Sequence, residues 1–380
     1  MEGGHVARAP IDGGTLRWAR ELGRVTHDDL AKAVGVKPER IDEFETGESR
    51  PTFRQLALIA TKLDRPLGFF FASAPATPDV PETADFRGRL HDELPADLVR
   101  EMRRAEQHRD AMLDLEGDRS EKLVLRALSW ANVQERAADV RRQFGLLDTF
   151  VPTESQTNQV FNFWRGLVEA RGILVFQTTR ISLETFRGLS IHHEILPVIL
   201  INGGDSASGR TFTMFHELAH LANRTSGLCV LQESVNEEAL ANGFAANFLM
   251  PEDSVWRNLP SINDPYELSN RLASTFKVSP LAAAVRLRTL DVIDEAQLAE
   301  VRGRSDAEWD RVRESRKQSD GFVPPWRLRY RDLGSSYIGT VAQALEDRRV
   351  DMMDATYLLN ARLPMVEQIL SEYYRTGGAE

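Results

Sequence analysis

His216-Glu217-Leu218-Ala219-His220 constrains this chain more than any other segment. Two imidazoles hold one metal ion only if the backbone brings them to the same face, and a four-residue spacing does this in a helix. Phe212, Phe215, Leu218 and Ala219 recur at helical spacing, so one side packs while the histidines face a cleft. Two such nitrogens suit Zn²⁺, at about 2.0–2.1 Å each. Glu217 lies off the histidines' radial line. It is poorly placed to ligate the same ion but can reach a water bound to it, whose pKa the metal lowers. The competing reading is an ordinary pair of surface or core histidines, yet with eight histidines in the chain there is no His-rich background.

A catalytic zinc needs a third protein ligand and an open position, whereas structural zinc sites are closed and rich in cysteine. The next helical pattern, Ser234 to Met250, offers Glu238, with Glu237 as the alternative. Glu238 shares a face with Asn242 and Ala241, whose small size lets two helices approach. Asn242 is then placed to support a ligand rather than to be one. Either glutamate could instead be a solvated first-turn carboxylate. Cys229 is the only thiol and reads as a small apolar core residue. Two histidines and a glutamate, with Glu217 beside them, suit hydrolysis better than a structural role.

The rest of the chain is organised by texture. From Thr15 to Ser73, apolar residues at helical spacing alternate with short breaks, predicting four or five short helices. Ala74 to Thr83 is Pro-rich and reads as a linker. A charged helical connector follows. From about residue 151 the texture becomes α+β: a helix near Gln156–Ala170, strands at Ile173–Phe176, Thr185–Ile191 and Leu196–Ile201, then helices. The expected domains are a frayed stretch 1–14, a helical module 15–73, linker and connector 74–150, an α+β domain 151–302, and a charged hinge with a helical end, 303–380. The fold class is mainly α with one small α+β domain and an all-α N-terminal module.

The formal charge of −10 argues against a general nucleic-acid coat but leaves room for one DNA-binding module. A single cysteine permits no disulfide within the chain and fits a reducing cytosol. The N-terminus lacks a signal-peptide pattern. The most apolar run, Ile195–Ile201, is too short to span a bilayer, so no membrane association is expected.

Several segments resemble known families. Phe212 to His220, then Glu238 to Ala246, then Leu249-Met250-Pro251, with Ile199–Asn202 before and Thr275–Ser279 after, resemble the ImmA/IrrE metallopeptidase family over about residues 150–300. The resemblance implies a gluzincin-like zinc site with His216, His220 and Glu238 as ligands and Glu217 as base. It also implies a protein partner, such as a helix-turn-helix repressor cleaved in phage induction or stress. Thr15 to Ser73 resembles an Xre/Cro-type helix-turn-helix, with Lys37 to Phe44 as its recognition helix. Pro66–Phe71, Asp85-Phe86-Arg87 and the tail Leu333–Tyr374 extend the likeness to long fusions of the two, some regarded as antitoxins beside a ribonuclease-like toxin.

The recognition segment departs from that pattern. His27 stands where the family usually has a phosphate-contacting Gln. Glu39, Asp42, Glu43 and Glu45 are poor neighbours for phosphate, whose neutralisation supplies most DNA affinity. Lys37 and Arg40 remain for groove contact, and Arg50 and Arg54 for phosphate. Operator DNA through residues 15–73 is one expectation, and a helix-turn-helix used for protein contact is the other. A homodimer is expected if the module reads paired half-sites. Two functions follow: a zinc endopeptidase with a regulatory module, or a DNA-binding antitoxin whose peptidase-like domain binds a toxin or senses a signal. A purely structural zinc protein is the weakest reading. The residues single out no oxyanion donor between Tyr266 and Arg271.

Overall fold

The computed structural model describes residues 8–73, 95–116, 122–154, 156–224, 235–318 and 323–376. The expected linker and Cys229 lie outside them. The chain divides into two compact units, residues 1–106 and 107–380. Among the described residues no helix is long and apolar enough to cross a membrane.

The first unit contains α1 (Gly13–Leu22), α2 (His27–Val34), α3 (Pro38–Thr46) and α4 (Phe53–Leu63), followed by a short 3-10 turn and the start of α5 (Ala96–Glu116). Each stop has a local cause. Thr26 caps α2 through the amide of Asp29, and Gly35 closes it at φ 74°. Thr52 and Gln55 form a reciprocal capping box on α4. Leu16, Leu30, Ile41, Phe44, Leu56 and Ile59 meet in one buried core. The frayed stretch expected through Gly14 is corrected from Arg8 onward. Ala9 donates to the Pro51 carbonyl and Asp12 to that of Phe70. α1 also begins earlier than expected, at Gly13, because the Asp12 side chain caps it. A Cβ at Gly13 would lie 2.4 Å from the Glu45 carbonyl oxygen, so only glycine permits this approach.

The second unit is built on a three-stranded sheet in the order β1-β3-β2. β1 (Leu174–Thr178) runs parallel to β3 (Val198–Asn202), and β2 (Gly188–Ile191) runs antiparallel to β3 at the edge. All three strands are buried on both faces, which explains their near-continuous apolar runs. α7 (Thr157–Glu169) and α8 (Ala207–Asn223) pack on this sheet, α9 (Val235–Leu249) packs on α8, and α6 (Val133–Gln143) packs on α9. The core between them is aromatic: Phe215 stacks on Phe248 at 3.9 Å, with Trp164 edge-on to both.

α10 (Glu252–Arg257), α11 (Pro265–Phe276), α12 (Pro280–Thr289) and α13 (Glu295–Gln318) follow. Of the charged stretch expected to form a hinge from residue 303, the part through Gln318 belongs to α13, which runs unbroken from Glu295. Up to Gln318 the charged sequence is that of a helix. The tail forms α14 (Pro325–Leu333), α15 (Ser335–Glu346), α16 (Met352–Leu358) and α17 (Leu363–Arg375), with Pro325 at the first turn of α14.

Candidate metal centre

α8 carries His216 and His220 one turn apart, with Glu217 next to His216. Their surroundings differ from the open cleft expected, since all three are buried. α9 lies against α8 and brings Glu238 from its first turn, with a side chain 30% exposed. Among the described residues, the donor atoms of His216, His220 and Glu238 lie within 4.8 Å of one another. The two Nε2 atoms are 3.0 Å apart. Glu238 places one oxygen 3.4 Å from His216 Nε2 and the other 3.6 Å from His220 Nε2.

The donor set fits a tetrahedral metal. Bonds of about 2.0–2.2 Å at a tetrahedral angle put neighbouring ligand atoms roughly 3.3–3.5 Å apart, close to the separations here. Two ring nitrogens at this distance can share only one proton, so in the metal-free chain the rings titrate as a pair. Burial opposes charge on both. For His216 the Glu238 hydrogen bond and the charges of Glu217 and Glu238 outweigh burial and raise the pKa. Burial and then the charge of His216 push His220 down to about 4. The surroundings thus favour protonation of His216 over His220.

Asn242, one turn beyond Glu238, places its Oδ1 2.9 Å from His216 Nδ1. That contact holds a proton on Nδ1 and frees Nε2 as a donor to metal, the orienting arrangement metal-binding histidines need. Glu237, the alternative third ligand, is exposed and not part of the gathered group. His192 and His193 follow β2 and also stand apart from the group.

The far end of α9 is held by two buried arginines. Arg141 donates to the carbonyl of Phe248 and Arg286 to that of Met250. Cations at a helix C-terminus satisfy carbonyls that lack helical partners. Burial lowers the Arg141 pKa to about 10. The helix that presents Glu238 and Asn242 is therefore anchored from behind.

Two neighbours of the centre escaped sequence reasoning. A Cβ at Gly188 would lie 2.3 Å from Thr213 Cγ2 and 3.0 Å from Glu217 Oε1. The edge strand β2 reaches the Glu217 side chain only because residue 188 has none. A glycine inside a strand pattern, which often marks close approach, was the available signal. Trp130 donates its indole N–H to Asn236 Oδ1 at 2.7 Å, and its ring leaves only 3.2 Å for a Cβ at Gly243. Nothing local in the sequence links Trp130 to α9. Tyr266, one of the oxyanion candidates, is engaged elsewhere: its hydroxyl donates to Glu308 and Arg304 lies 4.0 Å over its ring. Arg271 is exposed on α11.

In the first unit, Lys37 is the exposed N-cap of α3, and Arg50 and Arg54 are exposed around the start of α4. Arg40 is half-buried, paired with Glu43 and lying over the Phe44 ring. The expectation for Glu45 is corrected. It is buried, its two oxygens accept from Arg20 at 2.6 and 3.0 Å, and His27 lies 3.3 Å away. Burial alone would raise its pKa, but the Arg20 fork outweighs it and holds the carboxyl below its usual range. Glu45 therefore presents no charge to a phosphate backbone, and His27 faces a carboxylate.

With this geometry in place, comparison with known families gives a consistent result. Residues 16–70 match the family model of a helix-turn-helix, and residues 168–288 match that of an IrrE N-terminal-like domain. The chain thus joins a helix-turn-helix domain of the transcription-regulator type to an IrrE/ImmA-like peptidase-family domain, in that order. No curated protein matches it.

Proposed function

We propose that this chain is a zinc-dependent endopeptidase acting on a protein partner, such as a repressor, under a DNA-binding N-terminal module. One observation carries this reading: two buried histidines and Glu238 converge as metal donors while Glu217 stands beside them without joining the set. His216, His220 and Glu238 would hold the ion, which would polarise a water and the scissile carbonyl when bound. The chain's own groups do the rest. Asn242 fixes the His216 tautomer. Glu217 accepts a proton from the attacking water and later returns it to the leaving amine. The buried walls around Glu217 strengthen this transfer by excluding bulk water.

Glu217→Gln tests the proposal. It removes the base without removing a ligand, so zinc content and fold should be kept while cleavage of a purified repressor substrate falls by about 10²–10⁴. Cleavage that persists at the parent rate would overturn the assignment.

A second reading is favoured by the first unit. With Glu45 neutralised by Arg20, exposed Lys37, Arg50 and Arg54 can meet phosphate. A DNA-binding antitoxin would then use the peptidase-like domain to bind a toxin or sense a signal. The same variant separates the two, because repression or toxin neutralisation that survives Glu217→Gln needs no proteolysis.

A further inference from the structure

We infer that α15, α16 and α17 form a second helix-turn-helix, built like the first but reworked to bind a second copy of this chain. The correspondence is residue by residue. At one constant spacing along the chain, Thr15, Leu16, Ala19, Leu30, Val34, Ile41 and Phe44 map onto Thr340, Val341, Ala344, Ala355, Leu359, Val366 and Ile369. All fourteen are buried. At the same spacing the N-cap Thr26 of α2 maps onto the N-cap Asp351 of α16, and each side chain caps its helix. α15 and α16 each pack on α17, as α1 and α2 each pack on α3.

The turns agree as well. α2 is followed by Gly35 at φ 74°, and α16 by Asn360 at φ 44°. These are residues that tolerate the left-handed region. The next amide closes the turn alike in both: Val36 donates to the Ala31 carbonyl and Ala361 to that of Thr356, each at 3.0 Å. A cation then caps the second helix in extended conformation, Lys37 in one and Arg362 in the other. Proline stands in the first turn of both helices.

The surfaces diverge where the folds agree. Asp28, Lys32 and Pro38 of the first module correspond to Met353, Tyr357 and Leu363 of the second. These three are 57%, 71% and 41% exposed. Residues 335–376 hold four arginines against six acidic residues. Two arginines are tied locally, Arg349 to Asp347 and Arg375 to Glu372. Affinity for DNA rests on neutralising phosphates, and this surface offers apolar groups and a net negative charge instead.

A second copy is the occupant its chemistry fits. An isologous contact needs a self-complementary patch. Here apolar side chains are flanked by both charge signs: Asp354 follows Met353, and Arg362 precedes Leu363 with Glu367 one turn on. The helix-turn-helix at residues 16–70 also supplies one reading helix per chain, and two-fold operators take two.

The test is sedimentation equilibrium on the full-length chain. The wild type should show a concentration-dependent dimer. Tyr357→Glu and Leu363→Glu should each weaken it by roughly tenfold or more, as loss of a central interface residue does. Arg362→Glu should weaken it too, and adding Glu367→Arg should restore it. Circular dichroism checks that the variants remain folded, and the charge pair gives a reading that does not depend on the apolar changes. A wild type that stays monomeric would overturn the inference. So would a dimer unmoved by these variants, or a loss of DNA mobility shift in Tyr357→Glu with the mass unchanged.

Discussion

Two carboxylate clusters, one buried and one half-buried, set the two units apart. Glu45 is held by arginines of its own chain, with Arg20 forked on it and Arg17 nearby, and the His27 ring lies beside them. Glu238 meets two imidazoles that can share a single proton between them. The first cluster is electrically complete. The second collects three donors around a space that suits a divalent cation. A buried ion pair holds its own partners in place and is costly to break, whereas two imidazoles and a carboxylate whose donor atoms converge on one point have the form of a metal site.

The largest effect should come from removing a donor. His220→Ala should abolish stoichiometric zinc binding, measured by elemental analysis of the purified protein, and cleavage with it. If zinc stays at one equivalent, the donor set is misassigned. Glu217→Gln comes next and should lower turnover by about 10²–10⁴, the usual contribution of a general base, with zinc retained. Arg20→Ala tests the other cluster. It leaves Glu45 buried and without its fork, which should destabilise the first unit by about 3–5 kcal/mol in denaturant unfolding. A loss under 1 kcal/mol would mean that Arg17 and His27 suffice. Asn242→Ala should weaken zinc affinity by about 10–100-fold, read by competition with a chelator.

Acid should give the smallest and most gradual contrast. The Arg20 fork holds Glu45 low, and Arg104 does the same for Asp64 against the opposing effect of burial. Groups with depressed folded pKa values contribute stability above their unfolded values of about 4 and lose it as pH falls through the folded ones. Hydrogen exchange in α1–α4 should therefore accelerate below about pH 4. Unchanged protection there would show that these pairs add little.

The candidate site was largely legible because its chemistry is local. Spacing alone puts His216 and His220 on one face of a helix and Glu238 with Asn242 on one face of another, whereas the choice of Glu238 over Glu237 rested on the family resemblance. The strand runs were legible too, although Gly188 sets the observed start of β2 three residues later than expected. What was hidden depends on partners far apart in sequence. Glu45 looks like a solvent-facing acid until Arg20 is placed beside it, twenty-five residues earlier. Trp130 reaches Asn236 across more than a hundred residues. Residues 303–318 were harder to read for a different reason, since a charged helix and a charged hinge share one composition.

The anchoring of α9 has a consequence for how the centre responds to its ion. Arg141 and Arg286 fasten the last turn of that helix, whereas Glu238 lies in the first, partly exposed turn. Binding at Glu238 would act as a second fastening at the opposite end. Loading should then slow amide exchange mainly at residues 236–242 and leave residues 246–250 nearly unchanged. In mechanical terms α9 is a beam braced at one end by two arginines, and a bound ion would add a brace at the other.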